Sequence, residues 1–394
     1  MLRKIAFQIH LWLGLIVGAV LLALGVSGSL LVFRPAIERS SFRPPAHSPS
    51  AESPSATPLE DGRRAVESAR PEYRIRFVIP AKAGGGVNQF LLLPRKGAAH
   101  NPLLAATDAA TGEFLSVAPV KNGWLFWMHD FHSNLLAGPN GRTVNGFVAV
   151  MLMTLALSGL VMWLPRQQWR LSFRVGWKRQ IWNLHNAAGF FAFVLLAVQG
   201  FIGAYFAFPN VYRAALGLPP RATVDSDDGV NSPRAKAKKQ THKTASEAPL
   251  DSLLKKAQET WPKYEIATIY PPIRANQAVT FRGRMPGDPV GRNDVSRLTF
   301  DPHSGKLVRA LRAGQLPFGE QFIFQMQAIH FGRFQDSLLS HVVWLLLGLM
   351  PGTLYITGLI MWLNRMKAKW RMRRAKNQRV RSESEAAVFA TSAS

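Results

Sequence analysis

The sequence predicts a membrane α-helical protein: four transmembrane helices in a two-fold internal repeat, with two small α+β domains outside the lipid. Three observations predict it. Four uncharged stretches, 11–33, 143–165, 181–208 and 337–364, each exceed the roughly 20 apolar residues that cross a bilayer as a helix. Positive charge is gathered at the ends of particular stretches. The second stretch ends Ser158-Gly-Leu-Val-Met-Trp-Leu164 and the fourth Thr357-Gly-Leu-Ile-Met-Trp-Leu363, a near match that marks a duplication.

Composition narrows the chemistry. The 394 residues are 47% hydrophobic and carry 48 basic against 23 acidic side chains, a net charge of +25 that no ordinary soluble domain needs. The absence of cysteine excludes iron–sulfur clusters, disulfides, thiolate zinc sites, cysteine nucleophiles and covalently attached haem. A metal would fall to histidine, carboxylate or methionine.

Residues 1–33 form the first transmembrane helix. Its apolar run is longer than the roughly 7 to 15 residues of a signal-peptide core, so it reads as a retained helix. Residues 34–128 follow as the first outside domain, with a flexible tether at 44–58. Within it, Thr57-Pro58-Leu59-Glu60 has the pattern of a capping box with proline at the first helical position, leading into a helix to about Arg70. Alternating strands at Tyr73 to Pro80 and Val87 to Pro94 come next, then a hairpin around Asp108 to Gly112. Residues 129–165 are an edge segment and the second helix. The loop 166–180 holds Arg166, Arg170, Arg174, Lys178 and Arg179 and no acid. Residues 181–208 are the third helix, and 209–327 the second outside domain, with a tether at 225–249. That domain repeats the pattern: a helix from Leu250 to Trp261, strands at Tyr264 to Tyr270 and Ala278 to Arg284, and a turn at Asp301 to Gly305. Residues 328–364 are an edge segment and the fourth helix, and 365–394 a basic tail.

The basic loop and tail place both termini in the cytoplasm. The two long loops then face the periplasm of a bacterial inner membrane; loops of that length are exempt from the charge rule, which accommodates Arg234, Lys236, Lys238, Lys239 and Lys243. The excess charge is thus topological, and no nucleic-acid partner is expected. Trp163, Trp182 and Trp362 lie at the cytoplasmic ends, as an aromatic belt does.

Of the ten histidines, His47, His100, His242 and His303 lie in polar loops or turns. Six lie in or beside the spans, where an ionisable residue is costly enough to be a functional candidate; the plain alternative for each is a neutral imidazole bonded to a neighbouring helix. His10-Leu-Trp-Leu-Gly14 answers to His185-Asn-Ala-Ala-Gly189, and each glycine, four residues on along one helical face, leaves a gap over which a flat macrocycle fits. His132 and His330 are likewise equivalent, ahead of the returning helices. At 1.5 Å per residue, His10 and His132 are roughly a membrane thickness apart and cannot share an iron. The cross-repeat pairs, His10 with His185 and His132 with His330, can. The expectation is two bis-histidine haem sites in series across the bilayer. His129, one turn before His132, is the alternative outer ligand. His341, without a counterpart in the first half, reads as a bundle contact or a propionate or substrate neighbour. Arg142, Arg333 and Lys121 are candidate propionate partners, and Met162 and Met361 read as core packing.

The H-x-x-H-S-N-L-L-A-G segment from His129 to Gly138, the Ile329-His-Phe-Gly-Arg-Phe334 segment, the paired histidine helices and the two S/T-G-L-hydrophobic-M-W-L endings resemble the PepSY-associated transmembrane family. Within it, the chain is similar to the inner-membrane ferrisiderophore reductases of the FoxB type, over all but the tethers and the tail. The resemblance implies haem b, two per chain, in a four-helix core, PepSY-like periplasmic domains, and reduction of ferric siderophores with release of ferrous iron. Gln327 stands where the family has a histidine opposite His129.

The cytoplasmic segments are far too small for a flavin or nicotinamide domain, so the electron donor is membrane quinol or a separate soluble reductase. The ferric siderophore is expected between the outer domains, over an apolar floor of Trp124, Trp127, Phe131 and Phe334. No catalytic acid, base or nucleophile is required. Three rival readings are a haem-free PepSY-type membrane protein that binds a peptide or peptidase, a siderophore permease with histidine proton relays, and a haem protein with another acceptor.

Overall fold

The structure is a computed structural model that describes residues 1–34, 37, 58–81, 86–95, 101–120, 123–164, 176–220, 248–273, 277–289, 294–333 and 337–392. In chain order its helices are α1 (Leu2–Leu31), α2 (Leu59–Ala69), α3 (Trp124–Asn134), α4 (Gly138–Trp163), α5 (Trp177–Ala207), α6 (Pro209–Ala215), α7 (Leu250–Thr260), α8 (Phe318–Phe331) and α9 (Leu338–Ser392). Its strands are β1 (Tyr73–Ile79), β2 (Val87–Pro94), β3 (Leu103–Asp108), β4 (Phe114–Pro119), β5 (Glu265–Tyr270), β6 (Val279–Arg284), β7 (Ser296–Phe300) and β8 (Leu307–Leu311). The chain divides into a helical unit (Met1–Leu30, Phe131–Ala207, Val342–Ser394) and a sheet unit (Leu31–Asp130, Phe208–His341).

Four helices, α1, α4, α5 and α9, are long and apolar enough to cross a membrane. Their packing is inverted relative to a soluble bundle. Large apolar side chains such as Trp12, Phe147, Leu157, Phe191 and Leu346 are exposed, while Ser27, Ser29, Ser158 and Thr357 are buried. Lipid gives no hydrophobic reward for burying leucine, so helices meet through small residues and hydrogen bonds. The Ser29 hydroxyl donates to the Leu345 carbonyl at 3.0 Å, joining α1 to α9. Helix α9 continues through the exposed, basic stretch from Arg365 to Arg379.

The sheet unit holds one antiparallel sheet of eight strands in the order β4-β3-β2-β1-β5-β6-β7-β8. The two four-strand meanders join through β1 and β5, where Val78 pairs with Ile269. Helices α2 and α7 share the core with the strands; Leu59, Val66, Leu253 and Ala257 pack with Phe90, Ile269, Phe281 and Phe300, all nearly inaccessible to solvent. Leucines of the two helices and phenylalanines of the strands thus form one continuous core, whose burial is the main stabilising term.

The helix starts in this unit depart from the expected local capping box. Helix α2 begins at Leu59 with Pro58 at the cap position and no side-chain cap of its own; Thr57 lies outside the described residues. The caps are crossed instead. Asp251 of α7 accepts from the Leu59 and Glu60 amides at 2.9 and 3.1 Å, and Glu60 accepts from the Leu250 amide at 3.2 Å. Each carboxylate satisfies donors that its own helix does not present, because proline at 58 and at 249 sends the chain into each helix with no capping side chain. In the same unit Arg213 of α6 bridges to Glu320 of α8 at 2.7 Å.

Candidate functional site

His10 lies on α1 and His185 on α5, each several residues inside its helix rather than at its start. The bundle brings their rings to 6.3 Å between centroids, with planes 86° apart. Both line a cavity of about 980 Å³ within the helical unit. Its walls are chiefly leucine and aromatic, including Leu152, Leu196, Phe190, Phe193, Trp163 and Tyr355. Trp163 stacks on Phe190 at 4.2 Å, closing one side. Arg3, Lys4 and Arg365 also line it. Gly14 and Gly189, four residues beyond each histidine, line it as well, and a Cβ at either would make only ordinary contact with Leu155 or Leu354, at 3.8 and 3.7 Å. Met162 and Met361, expected in core packing, line the cavity too.

The hydrogen bonds assign the tautomers. The Ser158 hydroxyl donates to the Leu155 carbonyl at 3.1 Å, which leaves its lone pairs facing His10. The His10 Nδ1 lies 3.0 Å from that oxygen and 3.1 Å from the Leu155 carbonyl, both acceptors. Nδ1 therefore carries the proton and Nε2 keeps a free lone pair. His185 is held the same way: Thr357 donates to the Thr353 and Leu354 carbonyls at 2.7 and 3.1 Å and accepts from His185 Nδ1 at 2.9 Å.

This pair fits iron porphyrin. Two metal–nitrogen bonds of about 2 Å, with the half-width of a ring at each side, ask for about 6 Å between ring centres, and the observed spacing is 6.3 Å. An Nδ1–H bonded to a carbonyl or hydroxyl is the usual outer-shell arrangement of a ligating histidine. Among the described residues no group of three or more His, Cys, Asp or Glu side chains gathers to hold a metal. Two imidazoles on one apolar cavity of about 980 Å³ are residues that could hold an iron porphyrin between them.

His132, at the end of α3, belongs to the helical unit and rests on α1. Its Nδ1 lies 3.0 Å from the Leu24 carbonyl and 3.1 Å from the Ser27 hydroxyl, while Ser27 donates to the Leu24 carbonyl at 3.0 Å. The Asn145 side chain donates to the His132 carbonyl at 2.7 Å. Ser27 is seventeen residues along α1 from His10, about 26 Å at helical rise, so His132 is too far from the His10–His185 pair to share one iron with it.

The other candidates fall in the sheet unit. His129 lies on α3, one turn before His132. His330 is in the last turn of α8, beside the Phe331 ring at 5.5 Å and just ahead of Gly332, whose φ of 65° ends the helix. His341 stands 5.7 Å from the Phe33 ring. Arg333 lies over Phe331 at 5.1 Å. In the helical unit, Arg142 donates to Asn134 at 3.0 Å. Trp124 and Trp127 are exposed on α3; Lys121 and Phe334 lie outside the described residues.

Sequence reasoning missed Ser27, Ser158 and Thr357 as partners of imidazoles, and Arg3, Lys4 and Arg365 as cavity residues. For the hydroxyls the sequence carries a signal, since Ser158-Gly and Thr357-Gly stand at equivalent places in the duplicated endings.

A family model described as the PepSY-associated TM region matches residues 7–365. No curated protein matches the chain.

Proposed function

The chain belongs to the PepSY-associated transmembrane family, and on that premise we propose that it is a di-haem protein of the bacterial inner membrane that passes electrons outward to ferric siderophore, releasing ferrous iron. One observation carries the reading: imidazoles from two membrane helices meet 6.3 Å apart in an apolar cavity, each with Nδ1 engaged and Nε2 open.

Bound haem supplies reversible one-electron chemistry in a medium that otherwise stores no electron. The residues do the rest. His10 and His185 would hold the iron of the first centre. The second would take His132, whose counterpart in the sequence repeat is His330. Leu152, Leu196 and the aromatic walls exclude water, and Arg3, Lys4 and Arg365 offer cations to carboxylates at the cavity. The positive-inside rule puts the basic segments, and with them both termini, in the cytoplasm; the sheet unit is then periplasmic. The substrate's ferric ion gains one electron; as Fe(II) it is held far less tightly by hard oxygen ligands and dissociates. The donor would be membrane quinol or a separate soluble reductase.

The test is an absorption spectrum of the purified chain from haem-replete cells, before and after dithionite, followed by addition of a ferric siderophore with a ferrous trap. Two six-coordinate b-type haems, reoxidised by the ferric chelate, are expected. A colourless preparation sinks the reading in favour of a peptide-binding or permease role; coloured protein that the chelate cannot reoxidise retains the haems and removes the acceptor.

A further inference from the structure

We propose that Ser158, Thr357 and Ser27 are positioning residues of a shared ligand-holding device, the pentapeptide Leu-x-x-Ser/Thr-Gly, which fixes each iron-ligating imidazole by Nδ1. The proposal rests on the haem reading above and deepens it.

The pentapeptide occurs three times in the chain, at Leu24–Gly28, Leu155–Gly159 and Leu354–Gly358, and each copy lies under an imidazole. His132 is on the first copy, His10 on the second and His185 on the third. Every part has a physical task. The hydroxyl donates backward to the leucine carbonyl, at 3.0, 3.1 and 3.1 Å in the three copies. It can then only accept from the ring, so the protonated nitrogen must be Nδ1. The carbonyl adds a second acceptor for His10 and His132. The glycine gives the ring room: a Cβ there would stand 2.7, 3.2 and 3.4 Å from Cε1 of His132, His10 and His185. The device sits on the helix facing the histidine, never on its own, so it aims a ring across a helix–helix contact.

Its chemical effect follows. Acceptors on Nδ1–H make Nε2 a more basic ligand. A more basic ligand favours ferric over ferrous iron, so the device lowers the potential of the haem it serves. The first copy also bears on the outer ligand: His132 is held by Nδ1 as the inner ligands are.

The experiment compares Ser158→Ala, Thr357→Val and Ser27→Ala with the conservative Ser158→Thr, Thr357→Ser and Ser27→Thr, all as full-length chains in detergent. Readouts are the haem-to-protein ratio, the ferric and ferrous spectra, and the midpoint potential of each haem. The hydroxyl-deleting variants should release haem about 10-fold to 100-fold more readily. In the fraction that keeps it, the ferric–ferrous balance of one haem should move about tenfold toward ferrous, which is about 59 mV for one electron. Ser158→Ala and Thr357→Val should move the same haem, and Ser27→Ala the other, while the conservative variants stay at wild-type values. Unchanged potentials and haem content overturn the proposal, as does a shift in Ser158→Thr as large as in Ser158→Ala, which would point to packing. Wild-type chain without haem overturns the site reading and this inference together, whereas haem-loaded variants indistinguishable from wild type overturn this inference alone.

Discussion

A ligating imidazole needs one nitrogen occupied and the other bare, and residue identity alone settles half of that. The candidates were legible because histidine inside an apolar span is conspicuous, and because His10 and His185 sit in matching contexts. What holds them was not, since Ser-Gly and Thr-Gly are ambiguous until the residue three places earlier is read. The chain has five such dipeptides, and they sort cleanly: three follow leucine and lie under histidines, while Thr111-Gly and Ser304-Gly follow Asp108 and Asp301. There the carboxylate accepts from the Thr111 and Ser304 amides at 2.9 and 2.7 Å and closes a hairpin turn. Glycine at the end of the leucine pentapeptides gives a graded prediction. An added methyl meets Cε1 of His132 at 2.7 Å, of His10 at 3.2 Å and of His185 at 3.4 Å. Haem occupancy should therefore fall most in Gly28→Ala, less in Gly159→Ala and least in Gly358→Ala, with the first losing about tenfold or more of its retention. Equal occupancy in all three would show that the rings have slack. A second prediction distinguishes the pairs: His10→Ala and His185→Ala should lose the same haem, seen as identical difference spectra, and His132→Ala the other.

Elements with strong periodicity were readable, and their long-range joints were not. Helices at Leu59–Ala69 and Leu250–Thr260 and strands at Tyr73–Ile79 and Val87–Pro94 fall where pattern and punctuation put them. Nothing local announces that β1 meets β5, because an edge strand carries no mark of its partner. The crossed caps escaped for the same reason: Glu60 three residues after threonine reads as a local box, yet its carboxylate serves the Leu250 amide. Burial pushes the Glu60 carboxyl upward, but hydrogen bonds from Arg63 and the Leu250 amide, with the charges of Arg63 and Arg64, outweigh it and hold the group below the ordinary carboxylate range. A carboxylate lowered by folding stabilises above its unfolded pKa, and that contribution is lost as pH falls through the folded value. The sheet unit should accordingly lose stability on acidification from about pH 5 downward, and Glu60→Gln should flatten that dependence. Loss of a cap costs about 0.5–2 kcal/mol. Glu60→Gln and Asp251→Asn should each destabilise by about that much, measured by denaturant unfolding of the sheet unit's strand signal, and the double variant should show that the two caps report on one contact, with less than additive loss. Strict additivity would mean the crossed bonds act independently.

At the scale of the whole molecule, membrane class, span number and the presence of a strand-rich region were legible because a bilayer imposes length and composition on whatever crosses it. The side facing the cytoplasm is a charge argument, and function turns on it. The His10–His185 pair and the Ser27 shelf under His132 are about 26 Å apart along α1, most of the roughly 30 Å hydrocarbon thickness. On the proposed reading, haem at both depths would carry charge across the lipid, whereas reduction and oxidation at one face would need a single centre. Proteoliposomes make this directional. With the chain reconstituted, a quinol analogue in the bilayer and a membrane-impermeant ferric chelate outside, ferrous iron should appear outside, and a positive-inward potential should slow it because an electron carries its charge against that field. Removing either centre should interrupt the flow: His10→Ala and His132→Ala are each expected to cut the rate at least about tenfold. If His132→Ala stops the reaction while His10→Ala leaves it unchanged, electrons enter beyond the first centre, and the pair in the cavity serves some other purpose than conduction.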